Sequence, residues 1–501
     1  MQIKTLLNSA FKRSASVFLC GESVYGEFPL KLLSLPPQIT QPMAAKRKVR
    51  GAMDRIYKRT PLYYPIYYWV SSIFMKFYGK VDVKGLENIP KDAPVILTPN
   101  HSNALMDALI VLFTSPGDTV FLARADLFKK KLLARALNIL KMLPVFRIRD
   151  GVEELGKNQE IFDITVGVLH KNHQLCIMPE GNHGDMRRLR NLQKGVFRIA
   201  FKAQEKMGNK PYVKIVPVGL DFSDFIKQNQ SLFVNYGKPI DVSEYWDDYV
   251  ENGPVGMNKL KSRLADDMKP QMIQIETEDY YDGYMGLRTI FNEKMREIMG
   301  IQGKKLRDKF AADKEMIARL DKVLEEDEAK IKAISAKVVP YFETVNKDNI
   351  RDWVVKKQGF GLLGTIWRFL LLVVTLPVFL YGFINNFLVY LLPVKMTNGI
   401  KDKQFISSVK VGVTMLVVLP FFYALQTLLV GLFTPYWWIW VAYLITLYPM
   451  GKLALLWYFL WKKTARGGWF GFKFRSGNKE ILDLVRTRAE IIEMTETIVN
   501  L

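Results

Sequence analysis

Four histidines occur in the 501-residue chain, His101, His170, His173 and His183, and the first stands where it could act as a base. His101 lies in Pro99-Asn100-His101-Ser102-Asn103-Ala104-Leu105-Met106-Asp107, directly behind an apolar, β-branched run. An imidazole with a carboxylate in reach is a general base, because the carboxylate fixes the tautomer and stabilises the imidazolium that forms. Six positions along a straight α-helix turn through about 600°, so these two side chains would not share a helix face. His101 therefore belongs on a loop, with Asp107 in the first turns of the helix that follows.

Three further strings carry chemistry. Leu143-Pro144-Val145-Phe146-Arg147-Ile148-Arg149-Asp150 holds two arginines, whose planar forks suit a phosphate. Met178-Pro179-Glu180-Gly181-Asn182-His183-Gly184-Asp185 follows another apolar run, and Gly181 and Gly184 would let backbone approach a ligand closely. Arg187, Arg188, Arg190 and Lys194 come next. Ile215-Val216-Pro217-Val218-Gly219 is an apolar strand. Taken singly, each string also fits a bland role: solvated arginines in a turn, a tight acidic turn on a basic surface, or plain core. His101, Asp107, Glu180 and His183 are zinc-ligand types, but no HExxH or comparable close pair occurs, so no metal is expected.

The elements that must position these residues are legible. Residues 81–245 alternate β-branched runs with helical patterns, which predicts an α/β domain, a mixed sheet flanked by helices. Candidate strands are Val95–Thr98, Thr119–Ala123, Leu175–Met178, Val213–Val218 and Leu232–Tyr236. Residues 246–360 are charged and helical. Leu306, Phe310, Ile317, Leu320, Leu324, Ile331 and Ile334 recur at helical spacing and predict one or two long helices with a single apolar seam. Residues 43–80 join basic residues to Tyr63, Tyr64, Tyr67, Tyr68, Trp69, Phe74, Phe77 and Tyr78, a pattern that fits an interfacial helix or an ordinary amphipathic one. Met43 opens this basic stretch, so residues 1–42 read as an extension ahead of a second possible start.

In this order the strings resemble the glycerolipid acyltransferase superfamily of the PlsC type. Asn100-His101 with Asp107 matches its His–Asp motif, Pro144-Val145 with Arg147 its second motif, Pro179-Glu180-Gly181 its third, and Val216-Pro217-Val218 its apolar fourth. Lys194-Gly195 and Gly237-Lys238-Pro239-Ile240 also resemble family features. The resemblance covers about residues 80–245. One departure is the spacing: five residues separate His101 from Asp107 where the common pattern has four. The resemblance implies direct acyl transfer from acyl-CoA or acyl carrier protein to glycerol-3-phosphate or 1-acylglycerol-3-phosphate, with no cofactor. Dihydroxyacetone phosphate and lyso-aminolipids are alternative acceptors, and a non-catalytic membrane scaffold is the rival from another class. By analogy His101 is the base and Asp107 orients it. Arg147, Arg149, Glu180, Gly181, Asn100 and Lys194 would bind the acceptor.

Composition decides the location. The chain carries 71 Lys+Arg against 49 Asp+Glu, a net charge of +22, with 49% apolar and 13% aromatic residues. Aromatic content excludes a disordered polyelectrolyte, and two cysteines exclude a disulfide scaffold. Such a charge attracts nucleic acid or anionic membrane. The uncharged stretches 369–394 and 411–451 favour membrane, since a bilayer span takes about 20 apolar residues. They predict spans near 411–432 and 436–458, with Lys452 reaching toward an interface. Lys395, Lys401, Lys403 and Lys410 precede these spans and Lys462, Lys463 and Arg466 follow, which places both flanks in the cytoplasm. The segment 369–394, interrupted by Pro377, Gly382 and Pro393, is then expected to form a re-entrant hairpin or an interfacial segment, with residues 464–501 a cytoplasmic tail. Of the basic excess, residues 1–80 hold 13 Lys+Arg against 3 Asp+Glu, beside the aromatic segment.

Overall fold

Short apolar runs become parallel strands here because helices cover both of their faces. The structure is a computed structural model that describes residues 61–500 except 62, 130, 146–156 and 209–211. The extension 1–42, the basic stretch 43–60 and both Arg147 and Arg149 lie outside the described residues. Helix α1 (Tyr63–Phe77) leads into β1 (Lys80–Lys84). Then follow β2 (Val95–Pro99), α2 (Leu105–Thr114), β3 (Thr119–Arg124), α3 (Lys131–Ile139), β4 (Met142–Val145), α4 (Lys157–His170) and β5 (Gln174–Cys176). After α5 (Gly195–Met207), the chain completes the sheet with β6 (Lys214–Phe222), β7 (Ser231–Tyr236) and β8 (Ile240–Asp241).

The strand order is β1-β7-β6-β2-β5-β3-β4, with β8 beside β6. The pairs of β6 with β7 and β8 are antiparallel and the others parallel, so the sheet is mixed. β2 is buried along its whole length, and its alternate residues feed two cores. Leu97 packs with Met106 and Ile110 on one face, Ile96 with Phe197 and Phe201 on the other. All five predicted strands form. The three extra ones carried little signal: β1 is Lys-flanked, β4 contains Pro144, and β8 has two residues.

Helix α1 is amphipathic. Phe74 and Phe77 enter the domain core, while Tyr64, Tyr68 and Trp69 stay exposed.

The charged region forms α6 (Trp246–Glu251), α7 (Gly253–Met268), α8 (Tyr281–Ile290), α9 (Asn292–Ile298), α10 (Leu306–Glu326), α11 (Glu328–Lys347) and α12 (Asp352–Lys356). The predicted seam closes on a partner at the far end of the chain. The residues expected to be a tail continue a helix to Arg475 and then form a further helix, Lys479–Val499, whose Ile481, Leu484, Ile491 and Ile498 pack among Ile317, Leu320, Ile331 and Ile334. Residues 464–499 are therefore part of the helical core, because their apolar residues recur at helical spacing and need a buried face. Arg307 ties this region to the sheet through Asp82 on β1, its Nε 3.2 Å from a carboxylate oxygen. That hydrogen bond holds Asp82 below the ordinary carboxylate value of 3.8. A lowered folded-state pKa stabilises above the unfolded value and loses that stabilisation as pH falls through the folded value. Asp82→Asn should accordingly lower Tm at pH 7, by a deficit that shrinks as pH falls below 3.8, read by thermal unfolding in detergent across that range.

Four long apolar elements follow: α13 (Leu362–Val374), α14 (Leu376–Thr397), α15–α16 (Gln404–Val413 and Leu419–Phe433, joined by a π-turn at Thr414–Val418) and α17 (Trp437–Arg475), before the final helix α18 (Lys479–Val499). Helices α14 and α17 are long and apolar enough to cross a bilayer. The region exposes large apolar side chains such as Leu363, Trp367 and Val374. The expected hairpin at 369–394 does not form. Trp457 Nε1 donates to Leu372 O, Gly382 abuts Met450, and Asn386 Nδ2 donates to Leu447 O. Rising numbers on one side meet falling numbers on the other, so α13 and α14 run one way along α17. Pro377 causes only a break at Thr375, since a proline in the first turn of a helix has no partner to lose. The span predicted from 411 also starts differently. Val411 is buried in the α/β core, and the helix widens at Thr414–Val418, just ahead of Pro420, whose ring crowds the preceding turn and which has no N–H to donate.

Candidate active site

Parallel neighbours deliver their C-terminal ends to one edge of a sheet, and the loops leaving those ends meet there. β2 and β5 are such neighbours, so the loop bearing His101 and the loop bearing Glu180 converge. His101 precedes α2 and Asp107 sits in its first turn. The chain between them turns sharply: the Met106 N–H donates to Asn103 O at 3.0 Å, and Ala104 takes φ 47°, ψ −123°. That is a conformation glycine adopts freely and alanine only under strain. The turn brings His101 Nδ1 within 2.8 Å of Asp107 Oδ2. The same oxygen accepts the N–H groups of Ser102 at 2.9 Å and Asn103 at 2.7 Å. Asp107 is fully buried, whereas the His101 side chain is 16% exposed. With the Nδ1 proton donated to Asp107, the lone pair of the neutral ring sits on Nε2.

Glu180 is a clamp. Its Oε1 accepts the His101 N–H at 2.8 Å and its Oε2 accepts from Arg190 Nε at 2.7 Å. Gly181 has φ +69°, and a Cβ there would meet Gln193 Cγ at 2.8 Å, so the turn requires glycine. Its N–H closes that turn onto Met178 O. Asn100 lines the site, with its amide committed to the sheet: Nδ2 donates to Leu220 O and Oδ1 accepts the Leu220 N–H at 2.7 Å. This extends the β2–β6 ladder past Pro99, beside the strand that carries Val216-Pro217-Val218. Lys194 is exposed at the start of α5 and does not line the pocket.

The pocket beside His101 is small and open to solvent, and is lined by Ser102, Glu180, Arg187, Arg188, Arg190 and Phe225 among others. Arg187 is held by Asp221 at 3.1 Å and stacks over Phe225. Arg188 pairs with Glu278 at 2.6 Å on the surface. Three guanidinium groups beside a histidine base can hold an anion while the base works on a neighbouring hydroxyl. No group of three or more His, Cys, Asp or Glu among the described residues is arranged to hold a metal.

Residues 80–221 match the model of the Acyltransferase family. Over this stretch the chain is similar to an acyltransferase domain. Among solved structures it is similar to PlsC, the 1-acyl-sn-glycerophosphate (LPA) acyltransferase from Thermotoga maritima, at 20% identity and a TM-score of 0.29, covering 44% of this chain and 93% of that one. No curated protein matches the sequence significantly.

The helical region completes the pocket, which sequence reasoning missed. Met272 and Ile273 line it. The Ile275 N–H donates to Arg187 O, the Arg187 N–H to Tyr281 Oη, and the Leu189 N–H to Gln274 Oε1. The segment 272–281 is thus fastened to the arginine loop by one backbone and two side-chain hydrogen bonds. Nothing in the local sequence announced this, because the partners are some 90 residues apart.

Proposed function

We propose that this protein is a membrane-bound acyltransferase that moves a fatty acyl group from acyl-CoA or acyl carrier protein to a hydroxyl of glycerol-3-phosphate or 1-acylglycerol-3-phosphate. The observation that carries this reading is the His101–Asp107 pair, set beside three arginines in one pocket. His101 Nε2 takes the proton of the acceptor hydroxyl as its oxygen attacks the thioester carbonyl. The tetrahedral intermediate collapses with loss of the thiolate, which takes up the proton from the imidazolium. Asp107 stabilises that imidazolium. The arginine loop supplies charge for the acceptor's phosphate, which Lys or Arg geometry in a half-closed pocket favours over a neutral headgroup. Arg147 and Arg149 are further candidates for phosphate contact.

Helices α14 and α17 support anchoring in a bilayer, and the catalytic domain is assigned to the cytoplasmic side because Ser407 and Val411, on the Lys-rich flank that the charge rule places there, pack against it; the exposed Tyr64, Tyr68 and Trp69 of α1 would face anionic lipid. The test is an acyl-transfer assay of the purified protein in detergent. It crosses glycerol-3-phosphate, dihydroxyacetone phosphate, lysophosphatidate and a lyso-aminolipid with both thioester donors and identifies products by mass. Acylated glycerol-3-phosphate or phosphatidate supports the reading. Transfer only to dihydroxyacetone phosphate or a lyso-aminolipid replaces the acceptor, and no product with any pair overturns catalysis in favour of a scaffold.

A further inference from the structure

The segment that links α14 to the next apolar helix does not simply pass the catalytic domain; it is fastened to it beside the active site. Ser407 Oγ donates to Phe225 O, Arg124 stacks over Phe405 at 5.4 Å, and Val411 is buried in the α/β core. At its start, Asp402 Oδ2 lies 2.6 Å from His183 Nε2, while Oδ1 accepts the Gln404 N–H at 3.3 Å. His183 is 8% exposed and packs edge-to-face against two rings: Phe405 at 5.1 Å and the catalytic-site His101 at 5.6 Å. The next residue, Gly184, donates its N–H to His101 O at 3.2 Å. Two His–carboxylate pairs therefore stand side by side, His101 with Asp107 inside the domain and His183 with Asp402 across its border with the apolar helices.

We propose that Asp402 is a positioning residue for acyl transfer: it fixes His183, and His183 holds the ring of His101 in the orientation in which Nε2 meets the acceptor hydroxyl. The chemistry is that of a ring held by a carboxylate. A proton on Nε2 directed at Asp402 sets the His183 tautomer and stops the ring from rotating. A fixed His183 then leaves His101 one packed orientation, with Asp107 gripping Nδ1 and His183 bracing the ring. In consequence the active site is complete only when the linker between the apolar helices is seated. This rests on His101 being the base of an acyl transfer.

Two measurements on the full-length protein in detergent or bilayers separate the proposal from that reading. The first uses no substrate. With 15N-labelled histidine there are only four imidazoles to resolve. His183, assigned by its disappearance in His183→Gln, should show the proton on Nε2 in the wild type and in Asp402→Asn, whose amide oxygen still accepts it. In Asp402→Ala the two tautomers should mix. The second is turnover. Asp402→Ala should lower kcat by at least about tenfold with KM little changed, as expected for misplaced catalytic geometry, and Asp402→Asn should recover most of it. An unchanged His183 tautomer in Asp402→Ala, or wild-type kcat in that variant, overturns the positioning role. If Asp402→Ala fails to fold, Asp402→Asn and Asp402→Ser carry the comparison, and equal kcat in both, against a shifted tautomer in the serine variant alone, overturns it as well. A wild type inactive with every donor and acceptor overturns the acyltransferase reading and this role with it, while the tautomer still decides whether the pair exists.

Discussion

His101→Ala is expected to lower kcat by about 10⁴-fold, the upper range of what a positioned base contributes, while the protein keeps its fold and its detergent elution volume. Asp107→Asn is expected to cost less, about 10²- to 10³-fold. The difference follows from the geometry. One oxygen, Oδ2, accepts from His101 Nδ1 and from the backbone N–H groups of Ser102 and Asn103. An asparagine turns its amide oxygen toward those three donors, so the tautomer survives and only the charge that stabilises the imidazolium is lost. Its NH₂ group then occupies the place of Oδ1, which is buried without a hydrogen-bond partner, so the variant should also lose stability by roughly 1–3 kcal/mol. Because the two residues act as a unit, the double variant should be no slower than His101→Ala alone. Steady-state kinetics of the three proteins decide it. Near-normal turnover in His101→Ala, or losses that multiply in the double variant, would remove the pair from the mechanism.

Local patterns in the sequence were read correctly where the physics is local. The helix periodicity excluded a shared face for His101 and Asp107 and so placed the histidine on a loop, where it is. β-branched runs marked five strands because both faces of a covered sheet must be apolar. The family resemblance gave Glu180 and Asn100 to the acceptor; both line the pocket and both also hold it together, Glu180 between His101 and Arg190 and Asn100 with Leu220. Seeing those internal partners needed the neighbouring strands β5 and β6, whose order the sequence does not announce. Distance hid the rest. Asp221, Arg288 and Asp313 come from a strand and two helices, and Asp402 meets His183 across 219 positions. The α18 register was available in the spacing of Ile481, Leu484, Ile491 and Ile498, but its partner, the seam of α10 and α11, lies more than 130 positions away. Proline signals misled at 369–394, because Pro377 sits where a helix can begin and Pro393 is tolerated inside α14.

Arg288→Met is expected to cost about 3–5 kcal/mol of stability at neutral pH, the range for removing one partner of a buried ion pair, and to weaken the acceptor site at the same time. Arg288 lies on α8 and is almost wholly buried. Its Nε donates to Asp313 at 2.9 Å and its Nη2 to Asp221 at 3.1 Å. Asp221 in turn holds Arg187 in the pocket wall. Burial alone would favour loss of the Arg288 proton, but the two carboxylates outweigh it and hold the guanidinium charged. Burial pushes the Asp313 carboxyl up, and Arg288 is the main force opposing that rise. Methionine fills the volume of the arginine stem, yet leaves Asp313 with Asn292 as its remaining side-chain donor. The folded-state pKa of Asp313 then rises further above its unfolded value. A carboxyl raised in the folded state costs nothing below its unfolded pKa and progressively more as pH climbs through the folded one. The Tm deficit of Arg288→Met should therefore be large at pH 7 and shrink toward pH 4, and Asp313→Leu in the same chain should recover part of it. Arg187, its carboxylate no longer anchored from behind, should hold the acceptor's phosphate less firmly, so KM for the acceptor should rise more than kcat falls. A Tm deficit independent of pH would remove Asp313 from the account, and an unchanged acceptor KM would confine the helical region to stability.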